Sequence, residues 1–266
     1  MVLDGNAYFA TATDIVRRLQ FVVRKKAIAV GVGYPISEAV FDIDRRVFDM
    51  TPPSKSGLPT WKPRQDGGAG VGSSPGQGHA QVGKPKVRYG GAATFQRALV
   101  NDVLPAVQDM LPSVPLAEMR KVLFGHSFGG LFTLYSLFTE PGVFDTYITA
   151  SPSIWFNNCS IKEQEEEFLA RGSAVPSKLY ITTGTAEEDL LQKPGEDDDW
   201  FARRRGDVKA KRMNKNAIEL ADRLRDSKKL DDVWLQIFDL EDHGSSAQCG
   251  LQRGINKVLG EWWIGK

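Results

Sequence analysis

The sequence predicts an α/β protein with a mostly parallel, doubly wound sheet. Short apolar runs alternate along the chain with segments of helical spacing, which is the pattern of repeated strand–helix units. The apolar runs are continuous rather than alternating, as in strands that are buried on both faces. The length of 266 residues, 41% of them hydrophobic, suits one large domain with a substantial core.

Each element follows from its local pattern. Residues 1–3 have the character of a strand end that enters a glycine turn, and further strands are predicted at residues 26–32, 121–124, 146–150, 178–183 and 232–239. Helices are predicted at residues 94–110, 131–139, 212–225 and 255–263, where apolar residues follow a helical period. Residues 53–90 are crowded with Gly, Pro and Ser, so we predict a flexible insertion within a single domain at residues 1–266. The insertion acts either as a linker or as a flap on the substrate side.

Charge and cysteine content exclude several classes of function. The chain has 34 Lys and Arg residues against 33 Asp and Glu residues, for a net charge of +1, which gives no electrostatic footprint for nucleic acid or an anionic membrane. Two isolated cysteines, Cys159 and Cys249, form neither a disulfide framework nor a metal-ligand pattern. No apolar segment reads as a signal peptide or a membrane span. We therefore expect a soluble cytoplasmic protein that binds a small molecule and needs no cofactor or metal.

Residues 125–130, with the sequence GHSFGG, are the most informative motif. They place Ser127 between glycines, directly after a predicted strand and before a predicted helix. This is the G-x-S-x-G pattern in the strand–turn–helix context of an α/β-hydrolase fold. The glycines are needed because the sharp turn strains the serine backbone and leaves no room for neighbouring side chains. We predict that Ser127 is a nucleophile.

A serine nucleophile needs a base, which is usually histidine because its pKa lies near neutrality. The chain has three histidines. His79 lies in the glycine-rich insertion, and the side chain of His126 is expected to point away from Ser127. His243 follows the last predicted strand, where α/β-hydrolases carry the catalytic histidine. The sequence therefore predicts His243 as the base.

The acid that orients this histidine is expected in the loop after the strand at residues 178–183. Three carboxylates, Glu187, Glu188 and Asp189, follow that strand. Glu187 is the first choice, because an acid after the Gly-Thr-Ala turn is placed to orient the imidazole. Glu188 and Asp189 are alternatives, as are a Ser–His dyad without an acid and a purely helix-capping role of this acidic cluster.

Two backbone N–H groups are expected to stabilise the negative oxygen that forms during acyl transfer. The residue after the nucleophile, Phe128, supplies the first. Asn6, in the glycine turn after the opening strand, is our candidate for the second donor. Gly33 and Tyr34, at the end of the next predicted strand, are the alternatives.

Six segments together carry a family resemblance: LDGNAYFATATDIV, VGVGYP, FDIDRRVFDMTP, GHSFGGLF, SPSIWF and DHG, at residues 3–16, 30–35, 41–52, 125–132, 151–156 and 242–244. The chain resembles the siderophore-esterase branch of the Putative esterase (esterase D-like) α/β-hydrolase family. Members of this branch are the enterobactin, salmochelin and fungal fusarinine-type siderophore esterases. The segments at 41–52 and 151–156 are more specific to the branch than the serine motif. The resemblance implies an ester hydrolase of secondary metabolism that acts on siderophore-type esters.

The resemblance also implies roles for individual positions. Ser127 and His243 match the nucleophile and the base of the family, and Gly5 and Asn6 match its oxyanion turn. Family members have two further strands upstream of the strand that precedes this turn. The resemblance therefore predicts a sheet that lacks its first two N-terminal strands and exposes an edge near residues 27–32.

Three further residues are expected near the substrate on the same basis. They are Arg45, Tyr34 and Trp155. A core position for Trp155 and a surface ion pair between Arg45 and a nearby aspartate are the alternatives.

Two other functions on this fold stay open. An acyltransferase or thioesterase of a secondary-metabolite pathway would use the same nucleophile and base, with an alcohol or amine in place of water. The second alternative is a binding protein on a catalytically degenerate scaffold, which the expected loss of two strands would favour.

Overall fold

A computed structural model describes residues 1–24, 26–37, 39–54 and 88–260 of the chain. In this part of the chain the strands are β1 Val2–Leu3, β2 Gly31–Val32, β3 Val122–His126, β4 Thr146–Ala150, β5 Val175–Gly184 and β6 Leu230–Phe238. They form one sheet in the order β2-β1-β3-β4-β5-β6, in which all neighbours are parallel. The strand order changes direction between β1 and β3, which is where ligands bind in open α/β sheets.

Helices connect these strands on both faces of the sheet. The α-helices of the described residues are α1 Gly5–Val23, α2 Ile43–Met50, α3 Ala92–Ala98, α4 Leu104–Met110, α5 Phe128–Thr139, α6 Phe156–Cys159, α7 Ile161–Ala170, α8 Asp198–Lys211, α9 Met213–Ser227 and α10 Ser245–Gly260. Helices α1 and α10 share one buried cluster with one face of the sheet. Helices α2, α5, α7 and α9 pack in the cluster on the other face. The predicted doubly wound α/β architecture is confirmed.

Adjacent residues of β3 show how the sheet separates its two cores. Leu123 packs in the cluster that contains α5, whereas Phe124 packs in the cluster that contains α1 and α10. Successive side chains of a strand point to opposite faces, so a strand covered on both faces needs apolar residues at consecutive positions. Helix α5 is buried from Phe128 to Phe138 because it lies between the sheet and other helices.

The predicted strands and the observed strands differ mainly at the edge of the sheet. The prediction for residues 146–150 is confirmed by β4, and those for residues 121–124, 178–183 and 232–239 are confirmed with shifted ends. The prediction for residues 26–32 is wrong over most of its length, because only Gly31–Val32 is strand. Its partner β1 has two residues and offers only two positions for pairing.

The helices were predicted less completely than the strands. Helices α1, α2, α6, α7 and α8 were not predicted from the sequence. The helix predicted at residues 94–110 exists, but residues Leu99–Val103 adopt a π-helical turn between α3 and α4. Helix α10 begins ten residues before the predicted residue 255, at Ser245, and residues 261–263 of that prediction lie outside the described residues. The predicted insertion falls largely on residues 55–87, which also lie outside them.

No helix of the described residues is long and apolar enough to cross a bilayer. Helix α5, which is apolar all round, is the central buried helix of the domain rather than a surface helix.

We expect Gly250→Ala and Gly206→Ala to change stability in opposite directions. A Cβ at Gly250 of α10 would collide with Thr182 and lie 2.8 Å from the Ala150 Cβ, whereas Gly206 of the exposed helix α8 has open space around it. Crowding should lower the free energy of unfolding of Gly250→Ala by about 1–3 kcal/mol. The helix preference of alanine should raise that of Gly206→Ala by about 0.5–1 kcal/mol. Urea unfolding measures both, and equal changes would contradict the close packing of α10.

Candidate active site

Ser127 occupies a strained turn between β3 and α5. Its backbone has φ 60° and ψ −116°, a conformation that costs a non-glycine residue about 1–3 kcal/mol. The Ser127 N–H donates to the Ala150 carbonyl at 3.0 Å. A Cβ at Gly125 would collide with the Gly129 carbonyl, and one at Gly130 would lie 2.7 Å from the Thr149 hydroxyl. The glycines of the motif therefore permit the close approach that this turn requires.

The structure brings the three predicted catalytic residues into one hydrogen-bonded chain. Ser127 Oγ lies 3.0 Å from His243 Nε2, and His243 Nδ1 lies 2.6 Å from Glu187 Oε2. Ser127 follows β3, Glu187 ends the short 3₁₀ turn after β5, and His243 lies in the loop between β6 and α10. All three therefore lie at the carboxyl edge of the parallel sheet. In this geometry His243 Nε2 can take the serine proton while the Nδ1–H group donates a hydrogen bond to the Glu187 carboxylate.

The carboxylate of Glu187 is oriented by further hydrogen bonds. Its side chain is only 1% exposed. Glu187 Oε1 accepts hydrogen bonds from Ser151 Oγ at 2.6 Å, from the Gly184 N–H at 2.9 Å and from Ser246 Oγ at 3.3 Å. Oε2 is left to face the imidazole. The two serines were not among the residues predicted from the sequence, since no motif marks a serine that supports a carboxylate.

The hydrogen-bonding partner of His243 Nδ1 is Glu187 and neither of the two alternative acids. The Glu188 carboxylate accepts a hydrogen bond from the Lys215 N–H of α9 at 3.0 Å. The Asp189 N–H donates to the Thr185 carbonyl at 3.0 Å, which closes the turn. Among the three carboxylates, Glu187 is therefore the one that the structure brings to His243.

Asp242 fixes the loop that carries His243. Its Oδ1 accepts hydrogen bonds from the Gly244 N–H at 2.8 Å and the Ser245 N–H at 2.9 Å, at the start of α10. The hydrogen bond from the Ser245 N–H, followed by that from the Gly244 N–H, lowers the pKa of Asp242. An aspartate at this position caps the free N–H groups of a helix, so the start of α10 determines where the His243 backbone lies.

The predicted oxyanion donors lie at the beginnings of two helices. Asn6 is in the first turn of α1, whose Ala7 and Tyr8 N–H groups both bind the Asp4 carbonyl. The first N–H groups of a helix have no partner within it, so the Asn6 N–H is available to a ligand outside α1. Strands β1 and β3 are neighbours, and this turn therefore lies beside the one before Phe128.

The side chain of Asn6 distinguishes between the alternative donors. Asn6 Oδ1 accepts a hydrogen bond from the Tyr34 N–H at 2.8 Å, and Asn6 Nδ2 donates to the Tyr34 carbonyl at 3.0 Å. The Tyr34 N–H is thus occupied. Asn6 is therefore a better candidate than Tyr34, whereas Gly33 stays an alternative, and the Asn6 amide also fixes the segment after β2 against α1.

The three predicted substrate residues have different environments. Tyr34 donates its hydroxyl hydrogen bond to Asp49 Oδ2 at 3.1 Å, and burial together with Asp49 raises the pKa of Tyr34. The Trp155 ring lies 6.3 Å from the ring of Phe128 and packs against the core.

Arg45 is 59% exposed and pairs with Asp42 at 3.4 Å. The surface-pair alternative therefore describes the contacts of Arg45.

Arg46, the neighbour of Arg45, is another residue that sequence reasoning missed. Its Nε lies 3.0 Å from Asp4 Oδ1 and its Nη2 2.8 Å from Asp4 Oδ2, and Nη2 also reaches the His126 carbonyl at 3.5 Å. The two side chains of the pair are 8% and 0% exposed. Arg46 thus connects the turn after β1 to the end of β3. The FDIDRRVFDMTP segment contained this signal, but only the helix geometry of α2 shows which arginine points inward.

The described residues contain no group of three His, Cys, Asp or Glu side chains that could hold a metal ion. The polar side chains that meet at the sheet edge carry a hydroxyl, an imidazole and a carboxylate. These are the functional groups that acyl transfer by a serine uses.

A known protein family matches most of the chain. The family model described as Putative esterase matches residues 65–241. The chain belongs to the Putative esterase family. This confirms the family predicted from the sequence motifs, and the matched region contains Ser127 and Glu187.

Relatives at 30% identity or more extend over nearly the whole chain. The siderophore enterobactin esterase of Emericella nidulans is 36% identical over 96% of this chain and 79% of its own length. The siderophore triacetylfusarinine C esterase of Aspergillus fumigatus is 32% identical over 98% of this chain and 81% of its own length. Among solved structures, the siderophore hydrolase EstA from Aspergillus nidulans superposes with a TM-score of 0.84 at 35% identity, covering 98% of this chain and 81% of that one. The α/β-hydrolase fold of this esterase is therefore established.

We expect Arg46→Met to destabilise the esterase far more than Arg45→Met. Removal of Arg46 leaves the Asp4 carboxylate buried without its partner, which typically costs about 3–5 kcal/mol. The pair between Arg45 and Asp42 is exposed, and such pairs contribute about 0–1 kcal/mol. Urea unfolding of the two variants measures the difference. A loss below about 1 kcal/mol in Arg46→Met would contradict a supporting role for the buried pair.

Proposed function

We propose that this esterase is a serine ester hydrolase with Ser127 as nucleophile, His243 as base and Glu187 as acid. The observation that supports this most strongly is the hydrogen-bonded chain from Ser127 Oγ through His243 to Glu187, with distances of 3.0 Å and 2.6 Å. It occurs at a strained serine turn with the chain order serine, acid, histidine.

The proposed reaction has two halves. Ser127 Oγ attacks the ester carbonyl carbon while His243 Nε2 takes the serine proton, and His243 then gives that proton to the departing alcohol. Water attacks the acyl-enzyme with His243 again as base, which releases the acid and restores Ser127. The N–H groups of Asn6 and Phe128 stabilise the oxyanion in both halves. Trp155 and Tyr34 line the approach to the nucleophile in this proposal.

The proposed substrates are esters of siderophores. The support is that relatives at 36% and 32% identity are named as esterases of enterobactin and of triacetylfusarinine C. We place the reaction in secondary metabolism and in the cytoplasm. The cytoplasmic location rests on composition, because Cys159 and Cys249 are both free thiols.

Acyl transfer and binding without catalysis are the competing functions. The hydrogen bonds between Ser127, His243 and Glu187 favour catalysis over binding alone, since each makes the contact that a triad needs. A transferase would use the same three residues, so only the products distinguish it from a hydrolase. Free acid as the sole product at high acceptor alcohol would favour hydrolysis, whereas a new ester would favour transfer.

Ester turnover should depend entirely on Ser127. We expect wild type to hydrolyse triacetylfusarinine C or enterobactin, in the ferric or the iron-free form, and Ser127→Ala to lose turnover and labelling by a fluorophosphonate. The reason is that Ser127 Oγ is the hydroxyl that His243 Nε2 binds, at 3.0 Å. Liquid chromatography of the products measures turnover. Equal turnover and labelling by Ser127→Ala would refute the proposed nucleophile, and tight siderophore binding without turnover by wild type would favour the binding function.

Replacement of the acid and of its neighbour tests the third residue. We expect Glu187→Gln to lower kcat by about 10²–10⁴-fold, because an amide no longer stabilises the imidazolium that forms during the reaction. Glu188→Gln changes a carboxylate that faces α9 and should leave kcat nearly unchanged. Steady-state kinetics with an aryl acetate measures both. If the two variants lost activity equally, or if Glu187→Gln kept full activity, a Ser–His dyad would be the better description.

A further inference from the structure

His126, the residue before the nucleophile, makes two hydrogen bonds that the triad chemistry does not require. It is 6% exposed. Its Nδ1 lies 2.9 Å from the hydroxyl of Tyr8 in α1, and its Nε2 lies 2.7 Å from the backbone carbonyl of His243. Its side chain thus points away from Ser127 but reaches the loop of the proposed base.

These partners determine which nitrogen of His126 carries the proton. A carbonyl oxygen only accepts hydrogen bonds, so Nε2 must carry a proton and donate it to the His243 carbonyl. In a neutral imidazole the other nitrogen then accepts, and the Tyr8 hydroxyl is the donor. Burial, together with His243 and Arg46, lowers the pKa of His126 well below its usual value. The neutral ring is therefore the form that fits the site.

The hydrogen bond to the His243 carbonyl ties to β3 a loop in which the hydrogen bonds of Asp242 lie within the loop and the start of α10. Ser246 Oγ also reaches this carbonyl, but at 3.3 Å. The rings of His126 and His243 lie with their centroids 4.7 Å apart. Because His126 belongs to β3 and directly precedes Ser127, it fixes the backbone of the base relative to the strand that carries the nucleophile.

We propose that His126 is a positioning residue, which holds the His243 backbone so that the His243 imidazole stays in line with Ser127 Oγ, and that Tyr8 fixes the tautomer that makes this possible. The inference rests on the proposed role of His243 as base. Both ring nitrogens of His126 are engaged by Tyr8 and the His243 carbonyl rather than by Ser127 Oγ, so it is expected to act on the rate of acylation and not on substrate binding.

Four variants separate this role from a merely structural one. His126→Phe keeps the ring and removes both hydrogen bonds. His126→Gln places an amide donor near the position of Nε2, whereas the shorter His126→Asn places its amide near Nδ1, where it meets Tyr8 and not the His243 carbonyl. Tyr8→Phe keeps His126 and removes the donor to Nδ1. The amount of active enzyme is titrated with a fluorophosphonate, and the rate constant of labelling is measured per active site.

In the variants that lose a hydrogen bond of His126, we expect the fraction of enzyme that the fluorophosphonate labels to match wild type, while the rate constant of labelling falls. In His126→Phe and His126→Asn, kcat and the labelling rate should drop by about 10–100-fold, the size of effect that a small displacement of a catalytic group produces. KM should change little. His126→Gln should recover most of the rate, and Tyr8→Phe should lie between His126→Phe and wild type.

Three outcomes would overturn the inference. The first is a wild-type labelling rate in His126→Phe. The second is a reduced labelled fraction with an unchanged rate per site, which would mean that His126 only supports folding. The third is equal activity of His126→Gln and His126→Asn. If His126→Phe does not fold, Tyr8→Phe decides, and a wild-type rate in that variant overturns the inference. Failure of the proposed function is distinct, because wild type would then not be labelled at Ser127.

Discussion

The left-handed backbone conformation of Ser127 is the constraint on which the rest of the site depends. A φ of 60° at a residue with a side chain is unfavourable. Two backbone hydrogen bonds hold Ser127 in this conformation. The Ser127 N–H binds the Ala150 carbonyl at 3.0 Å, and the Ser153 N–H binds the Ser127 carbonyl at 3.1 Å. Both partners belong to β4 or to the segment that follows it. The turn is thus stabilised by the neighbouring strand, which requires that β3 and β4 pair in register.

The buried pair of Asp4 and Arg46 extends this constraint to the first helix. Asp4 itself has a positive φ of 50° and precedes α1. Its carboxylate and the Arg46 guanidinium form two hydrogen bonds at 3.0 Å and 2.8 Å. A buried pair of this kind contributes little net stability but strongly disfavours any arrangement that separates the partners. The proposed oxyanion turn and the nucleophile turn are therefore coupled through α2.

From the sequence alone we predicted three residues that the structure brings into hydrogen-bonding distance, Ser127, Glu187 and His243, because each follows a recognisable buried strand and parallel strands present their carboxyl ends at one edge. The sequence was insufficient where a choice depended on helix orientation. Arg45 and Arg46 are adjacent and chemically identical, and only the burial of one face of α2 separates them. The short pairing of β2 and the unpredicted α1 have a similar cause. Their form depends on contacts between distant segments, such as the hydrogen bond of the Val2 N–H to the Val30 carbonyl at 2.8 Å, which local patterns do not contain.

The distribution of charge around His243 explains why these supports matter for chemistry. Arg46 is close to His126 and the site, but its charge is balanced by Asp4 within the same buried pair. His126 is held neutral by its surroundings, so it adds no positive charge beside the base. Glu187 makes its hydrogen bonds to Ser151, Ser246 and Gly184 through one oxygen and faces His243 with the other. In the proposed mechanism, the positive charge that His243 gains with a proton lies beside a carboxylate that is already oriented, so little reorganisation is needed. The supporting residues would keep this one interaction in place while that charge forms and disappears in each half of the proposed reaction.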